Sequence, residues 1–180
     1  MSCLGLKVTI AAGILQAAFN SMSELFTSVA SSIVSYHYGA QNTLELKNLL
    51  KRSLKIEYIG GIIMFSLAQL LARPIATVFV GYDKDLLELT VHAFRLFLFG
   101  FILAGGNIFA SAFFTALNNG PVSAVISVLR SMVFELLSVL ILPLFLGING
   151  IWCAVAVAEI AAFFVSWILL LSNNKKYQYL

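Results

Sequence analysis

Three ionisable residues lie inside long apolar stretches, where a charge is costly. Segment 122–146 contains Arg130 and Glu135, and Glu159 is the one acid in segment 148–171. An ionisable side chain at the centre of a bilayer costs about 2.5 to 3.5 kcal/mol on insertion scales. These side chains are therefore expected to face a protein interior or a wet cavity. They would serve there either as ties between helices or as a cation or proton relay.

Their spacing predicts how these residues relate to one another. Arg130 precedes Glu135 by about a turn and a third of α-helix, so the two are expected to point to different faces and to find partners elsewhere. Glu135 precedes the turn at 147–150 by 12 residues and Glu159 follows it by 9. Their depths then differ by roughly 5 Å, which would allow one polar layer. Asn107 is a further polar residue, and the glycines before it are expected to allow a close backbone approach. It is expected either to take part in packing there or to belong to that polar layer.

The composition indicates which solvent surrounds these residues. Hydrophobic residues make up 61% of the 180 residues and charged residues only 11%, with a mean hydropathy of +0.97. Soluble domains carry about 25% charged residues, so one core of this size could not enclose the apolar surface. A soluble enzyme, a disordered tail and a secreted disulfide scaffold are excluded. At about 20 residues per span, the length allows about five transmembrane helices.

The remaining residues indicate no other chemistry. Cys3 and Cys153 are far apart with no CxxC pattern, so both are expected to be inert and no structural zinc is predicted. No intramembrane protease motif lies within a span, so the chain is not expected to be an enzyme. The basic residues lie at segment ends beside head groups, so no nucleic acid partner is predicted.

The chain is predicted to form one all-α transmembrane domain, residues 1–180. Charges and turns mark the boundaries of its spans. The predicted spans cover about residues 8–38, 56–72, 94–117, 122–146 and 148–171. The second is expected to end before Pro74, because proline terminates helices. Residues 39–55 alternate leucines with basic residues, which predicts an amphipathic surface helix.

The first span and the turns carry predictions of their own. Residues 8–38 fit one long helix whose polar patch at 20–24 faces protein or water. Alternatively, the apolar residues 8–19 after Lys7 form a signal-peptide core. The GYDKD stretch at 81–85 predicts a turn that contains an N-cap. The tight turns at 118–121 and 147–150 predict that the last three spans form antiparallel hairpins.

The distribution of basic residues predicts the orientation. With five spans, the side that carries the loop after the first span and the C-terminal tail holds six basic residues, and the other side holds three or four. The six are Lys47, Lys51, Arg52, Lys55, Lys175 and Lys176. Basic residues favour the cytoplasmic side. The C-terminal tail is therefore predicted to be cytoplasmic. The N-terminus would then lie outside without a signal to place it there, which suggests that further helices precede it.

Several stretches together resemble the multidrug and toxic compound extrusion (MATE) family of transporters. Tyr36, Gly39 and Ala40 belong to an IVSYHYGAQN stretch that is similar to a family element ending a helix at the cytoplasmic face. The other similar stretches are FASAFFTALN at 109–118, SVLR at 127–130 through Pro143, and GIW at 150–152 with Glu159. They occur in the family's order from residue 33 to the end, and the tail resembles one bacterial branch.

The resemblance implies a bundle of helices eight to twelve of twelve, forming part of the second lobe, in a bacterial plasma membrane. It implies efflux of drugs or small organic cations, coupled to Na⁺ or H⁺, with no other cofactor. The first lobe and most of helix seven, which carries an acid of the cation site, would be missing. The fragment is expected to be inactive alone. The transport-cavity candidates are Glu135, Glu159, Asn107 and Arg130. The alternative is a membrane remnant or helix-packing partner that does not transport.

Overall fold

The computed structural model describes the backbone of residues 3–180 and the side chains of residues 12–180. The expectations for Lys7 and for the Cys3 side chain lie outside the described residues. The described chain is all-helical, as predicted from its composition. The helices are α1 (Cys3–Gly39), α2 (Thr43–Val80), α3 (Lys84–Phe97), α4 (Phe101–Ala116), α5 (Gly120–Val128), α6 (Glu135–Leu146) and α7 (Ile148–Tyr177). A 3₁₀ turn, Leu98–Gly100, joins α3 to α4, and a π-helical turn, Leu129–Phe134, joins α5 to α6.

Four helical rods in the described residues are long and apolar enough to cross a membrane. They are α2, the α3–α4 rod, the α5–α6 rod and α7. Helix α1 is one continuous helix of 37 residues, as the single-helix interpretation predicts. Its polar patch faces protein only in part, because Ser23 is buried and Asn20 is half-buried, whereas Ser21 and Glu24 are exposed. Because these polar residues lower the mean hydropathy of the described part of α1, this helix is not among the four rods.

Helix α2 passes through Pro74 and continues to Val80, so the prediction that it ends before Pro74 is wrong. One face stays buried at four-residue spacing on both sides of the proline. Its members are Ala68, Ala72, Ala76 and Val80. They share an apolar core with Val91 and Phe94 of α3. Packing on this face holds the helix together where proline removes a backbone hydrogen bond.

The basic segment before the second span is the first part of α2 and not a separate surface helix. Its leucines Leu46 and Leu50 are 1% exposed and share an apolar core with Phe113 and Tyr179. The Tyr179 hydroxyl donates to the Leu170 carbonyl oxygen at 2.9 Å, and burial raises the pKa of this phenol. The C-terminal residues are therefore docked against the end of the bundle that carries the basic segment.

The hairpin and cap predictions are confirmed. Asp83 Oδ1 accepts hydrogen bonds from the Asp85 and Leu86 backbone N–H groups at 3.0 and 3.2 Å. Helices α6 and α7 pack as neighbours across Gly147, whose φ of +56° favours glycine. A Cβ atom at Gly150 would collide with the α6 backbone, so the hairpin is tight.

Candidate functional site

Arg130 and Glu159 form an ion pair between the π turn and α7. Arg130 Nη2 lies 2.7 Å from Glu159 Oε1, and its Nε donates to Oε1 and Oε2 at 2.9 and 3.1 Å. The Glu159 side chain is 6% exposed and that of Arg130 is 20% exposed. The pair neutralises two charges that lipid would penalise singly. Arg130 therefore has its partner on another helix, as its spacing from Glu135 predicted.

Asn107 joins this pair from α4. Its Nδ2 donates to Glu159 Oε2 at 2.7 Å and to the Glu159 carbonyl oxygen at 3.0 Å. Side chains, and not another backbone, approach the glycine before it closely, because a Cβ atom at Gly106 would lie 2.5 Å from Tyr58 Cε1. Three helical rods thus meet at Asn107, Arg130 and Glu159, which we call the Arg130 cluster.

Arg130 and Glu135 line the same cavity, so the prediction that they point to different faces is wrong. The π turn Leu129–Phe134 separates them. Its hydrogen bonds span five residues and not four, so residues five apart come close to one face. Glu135 is exposed and makes no hydrogen bond or ion pair within the described part of the chain. The partner that the sequence led us to expect for Glu135 is therefore not present there.

The cavity beside the Arg130 cluster has a volume of about 120 Å³ and a polar lining. We call it the central cavity. Gln16 and Asn20 of α1 line it together with Glu135, Ser131 and two members of the cluster, Arg130 and Glu159. The Gln16 Oε1 and Asn20 Oδ1 atoms are buried and accept no hydrogen bond from the described residues. A larger cavity of about 520 Å³ shares Gln16, Asn20 and Glu135 and extends to Trp152.

A third cavity, of about 370 Å³, is lined by Asn107 and Arg130 of the cluster. Hydroxyl groups of α4 and α5 form a network along it. Ser111 Oγ lies 2.7 Å from Ser127 Oγ, and Thr115 Oγ1 lies 2.7 Å from Ser123 Oγ. Glu24 of α1 also lines it. Arg130 belongs to both this cavity and the central cavity, so the three cavities form one row, which we call the polar track.

Sequence reasoning missed a second buried acid, Glu57 of α2, because the residue lies near the start of a span. Glu57 is 6% exposed and accepts hydrogen bonds from Ser23 Oγ at 2.7 Å and Thr27 Oγ1 at 3.0 Å. A Cβ atom at Gly105 would collide with the Glu57 carboxylate. The signal in the sequence was two hydroxyl residues four apart on α1, which share one helical face.

The motif residues Tyr36, Gly39 and Ala40 lie at the end of α1, away from the polar track. Gly39 is the last residue of the helix, and the Ala40 backbone N–H donates to the Tyr36 carbonyl oxygen at 3.0 Å. The Tyr36 side chain is 73% exposed. The motif therefore ends the helix, and the structure brings only Asn107, Arg130, Glu135 and Glu159 together.

The comparison with protein families decides the identity of this bundle. The MatE family model matches residues 7–141, which is more than half of the chain. The chain belongs to the MATE family. No curated protein sequence was similar enough to count as a match.

Solved MATE structures share the fold at low sequence identity. An outward-facing multidrug resistance MATE transporter superposes with a TM-score of 0.88 at 17% identity over 98% of this chain. An inward-facing one gives 0.78 at 18% identity over 95%. A transporter of the MOP superfamily from Pyrococcus furiosus gives a TM-score of 0.87 at 18% identity over 98% of this chain. This MATE chain spans about 40% of the length of these structures, since it covers 40%, 42% and 40% of them.

Proposed function

We propose that this chain supplies second-lobe helices of a MATE antiporter that exports small organic cations in exchange for Na⁺ or H⁺. In this proposal the chain is inactive without a first lobe. The observation that carries the proposal is the polar track, a row of three cavities that runs beside the Arg130 cluster through otherwise apolar rods. Alternating access requires a polar site near mid-membrane that two lobes enclose.

The electrostatics of the track favour a cationic ligand. Glu159 neutralises Arg130, whereas the exposed Glu135 carboxylate has no cationic partner in the described residues. The unsatisfied carbonyl oxygens of Gln16 and Asn20 add two acceptors to the same cavity. A carboxylate with neighbouring carbonyl oxygens attracts an ammonium group or a small metal cation. In this proposal Glu135 holds the cation, and the Arg130 cluster keeps the wall of the cavity in place.

Replacing Glu135 with glutamine tests this role. We expect a fusion of the chain to the first lobe of a related MATE transporter to export ethidium, and Glu135→Gln to lower that rate roughly tenfold or more through the loss of a charge partner. Efflux is measured by fluorescence in intact cells at matched protein levels. The control is Glu88→Gln, which removes an exposed acid of α3 and should keep the rate.

The chain alone provides the baseline of the same experiment and should match empty vector. Efflux from the chain alone, or no efflux from the unmodified fusion, would contradict the proposal that a first lobe completes the site. An unchanged rate in Glu135→Gln would show that this carboxylate does not hold the cation.

We also propose a plasma-membrane location with the basic end of the bundle in the cytoplasm. Lys51 and Lys84 are both exposed and lie near opposite ends of α2, at its basic start and just after its end. With Cys3 and Cys153 replaced by serine, we expect an impermeant maleimide to label Lys84→Cys in intact cells. Lys51→Cys should be labelled only after permeabilisation. The reverse pattern would invert the orientation.

A further inference from the structure

Glu57 lies in a site separate from the polar track. Ser23 and Thr27, which donate to its carboxylate, and Gly105, whose backbone packs against it, are all uncharged. No positively charged group pairs with this carboxylate in the described part of the chain. A carboxylate has about four lone-pair sites, and the two hydroxyl groups occupy two of them. Glu57 thus retains capacity for a further donor.

A cavity of about 180 Å³ reaches Glu57 between α1 and α2. Its walls are apolar, formed by the aromatic rings and thioethers of Phe19, Met22, Phe26 and Met64. Gly60 of α2 also lines the cavity, and a Cβ atom added there would meet no atom within 4 Å. The absence of a side chain at Gly60 therefore leaves this space open. An apolar cavity of about 150 Å³ is large enough to hold benzene.

We infer that this cavity binds a small lipophilic ammonium ion, with the ammonium group on the Glu57 carboxylate and the apolar group between the phenylalanine rings. The charge of Glu57 selects a cation, and aromatic faces and thioethers favour the same ligand. The mouth lies beside Met22, which is 60% exposed, and Ile56, which is 51% exposed. A ligand dissolved in the apolar phase can therefore reach it from the side.

The cavity differs from the polar track in position and in lining. Phe19, Met22, Ser23 and Phe26 lie on one side of α1, whereas Gln16, Asn20 and Glu24 lie toward the track. The two sites share no lining residue, and α1 forms the wall between them. Binding here concerns the chain by itself and does not depend on the proposed transport.

The probe is 4-fluorobenzylammonium, titrated into the 180-residue chain in nanodiscs and followed by ¹⁹F NMR, with empty nanodiscs subtracted. We expect saturable binding to the unmodified chain. Glu57→Gln, which keeps the acceptor oxygen but removes the charge, should weaken it roughly tenfold or more. Gly60→Leu, which fills the open space and keeps the carboxylate, should abolish it. Glu88→Gln is the matched control, because it removes an exposed acid and should bind as the unmodified chain does.

The neutral analogue 4-fluorobenzyl alcohol tests the charge without any variant. It should bind the unmodified chain at least roughly tenfold more weakly than the amine, since it cannot pair with the carboxylate. Equal affinity for amine and alcohol would overturn the inference. Undiminished amine binding to either Glu57→Gln or Gly60→Leu would overturn it as well, as would the absence of saturable binding to the unmodified chain.

Discussion

Replacing Arg130 with glutamine is expected to lower the free energy of unfolding by about 3 kcal/mol or more, because it leaves a buried carboxylate without its charge partner. Glu159, with a 6% exposed side chain, would keep only the Asn107 amide. Replacing Arg130 and Glu159 together with methionine should restore much of the loss, since no buried charge remains. Denaturant unfolding in micelles measures both variants.

The exposed ion pair between Arg73 and Glu88 provides the control for that experiment. These side chains are 65% and 63% exposed at an N–O distance of 2.9 Å. Exposed pairs contribute about 0 to 1 kcal/mol, so Arg73→Gln should change stability little. If Arg130→Gln were no more destabilising than Arg73→Gln, or if the double variant were the least stable, the Arg130 cluster would not be a buried electrostatic tie.

The second large effect is expected at Gly61, where α2 meets the backbone of α4. A Cβ atom there would lie 2.6 Å from the Phe101 carbonyl oxygen, and backbone cannot give way as a side chain can. We expect Gly61→Ala to lower the free energy of unfolding by about 3 kcal/mol through overpacking. The neighbouring Gly60→Ala meets open space and should gain up to about 1 kcal/mol from helix propensity.

The same unfolding measurement compares the two alanine variants side by side. They differ by one position on one helix, so helix propensity and membrane context are matched. Equal stability of Gly60→Ala and Gly61→Ala would mean that α2 and α4 do not approach closely at this point. A large loss of unfolding free energy in Gly61→Ala alone would show that α2 and α4 pack tightly here. The same close packing brings Gly105 against Glu57.

These contacts have a consequence for function. The Arg130 cluster joins α4, the π turn and α7, whereas Glu57 joins α1, α2 and α4. Helix α4 therefore lies against α1, α2, α5 and α7. In the proposed antiporter, the second-lobe helices would move as one body around the polar track, while Glu135 remains available to a cation.

Composition and spacing were sufficient for the class of the protein and for most of its architecture. The all-helical membrane bundle, the tight hairpins and the Asp83 cap follow from local rules, because apolar length, glycine turns and N-caps act within a few residues of the chain. The four candidate residues Asn107, Arg130, Glu135 and Glu159 were found in the same way. A charge or amide in an apolar segment is costly wherever the segment packs.

Tertiary structure alone decided how these residues pair. Helix α2 continues through Pro74 because its buried face packs against α3. Rules for helix ends consider only nearby residues in the sequence and do not include this contact. The π turn brings Arg130 and Glu135 to one cavity, although regular α-helical spacing separates them. Glu159 is the partner of Arg130, 29 positions away, and Glu57 meets its hydroxyl donors 34 and 30 positions away on α1. Such contacts form only when whole helices pack, since the energy that selects them lies between helices and not along one.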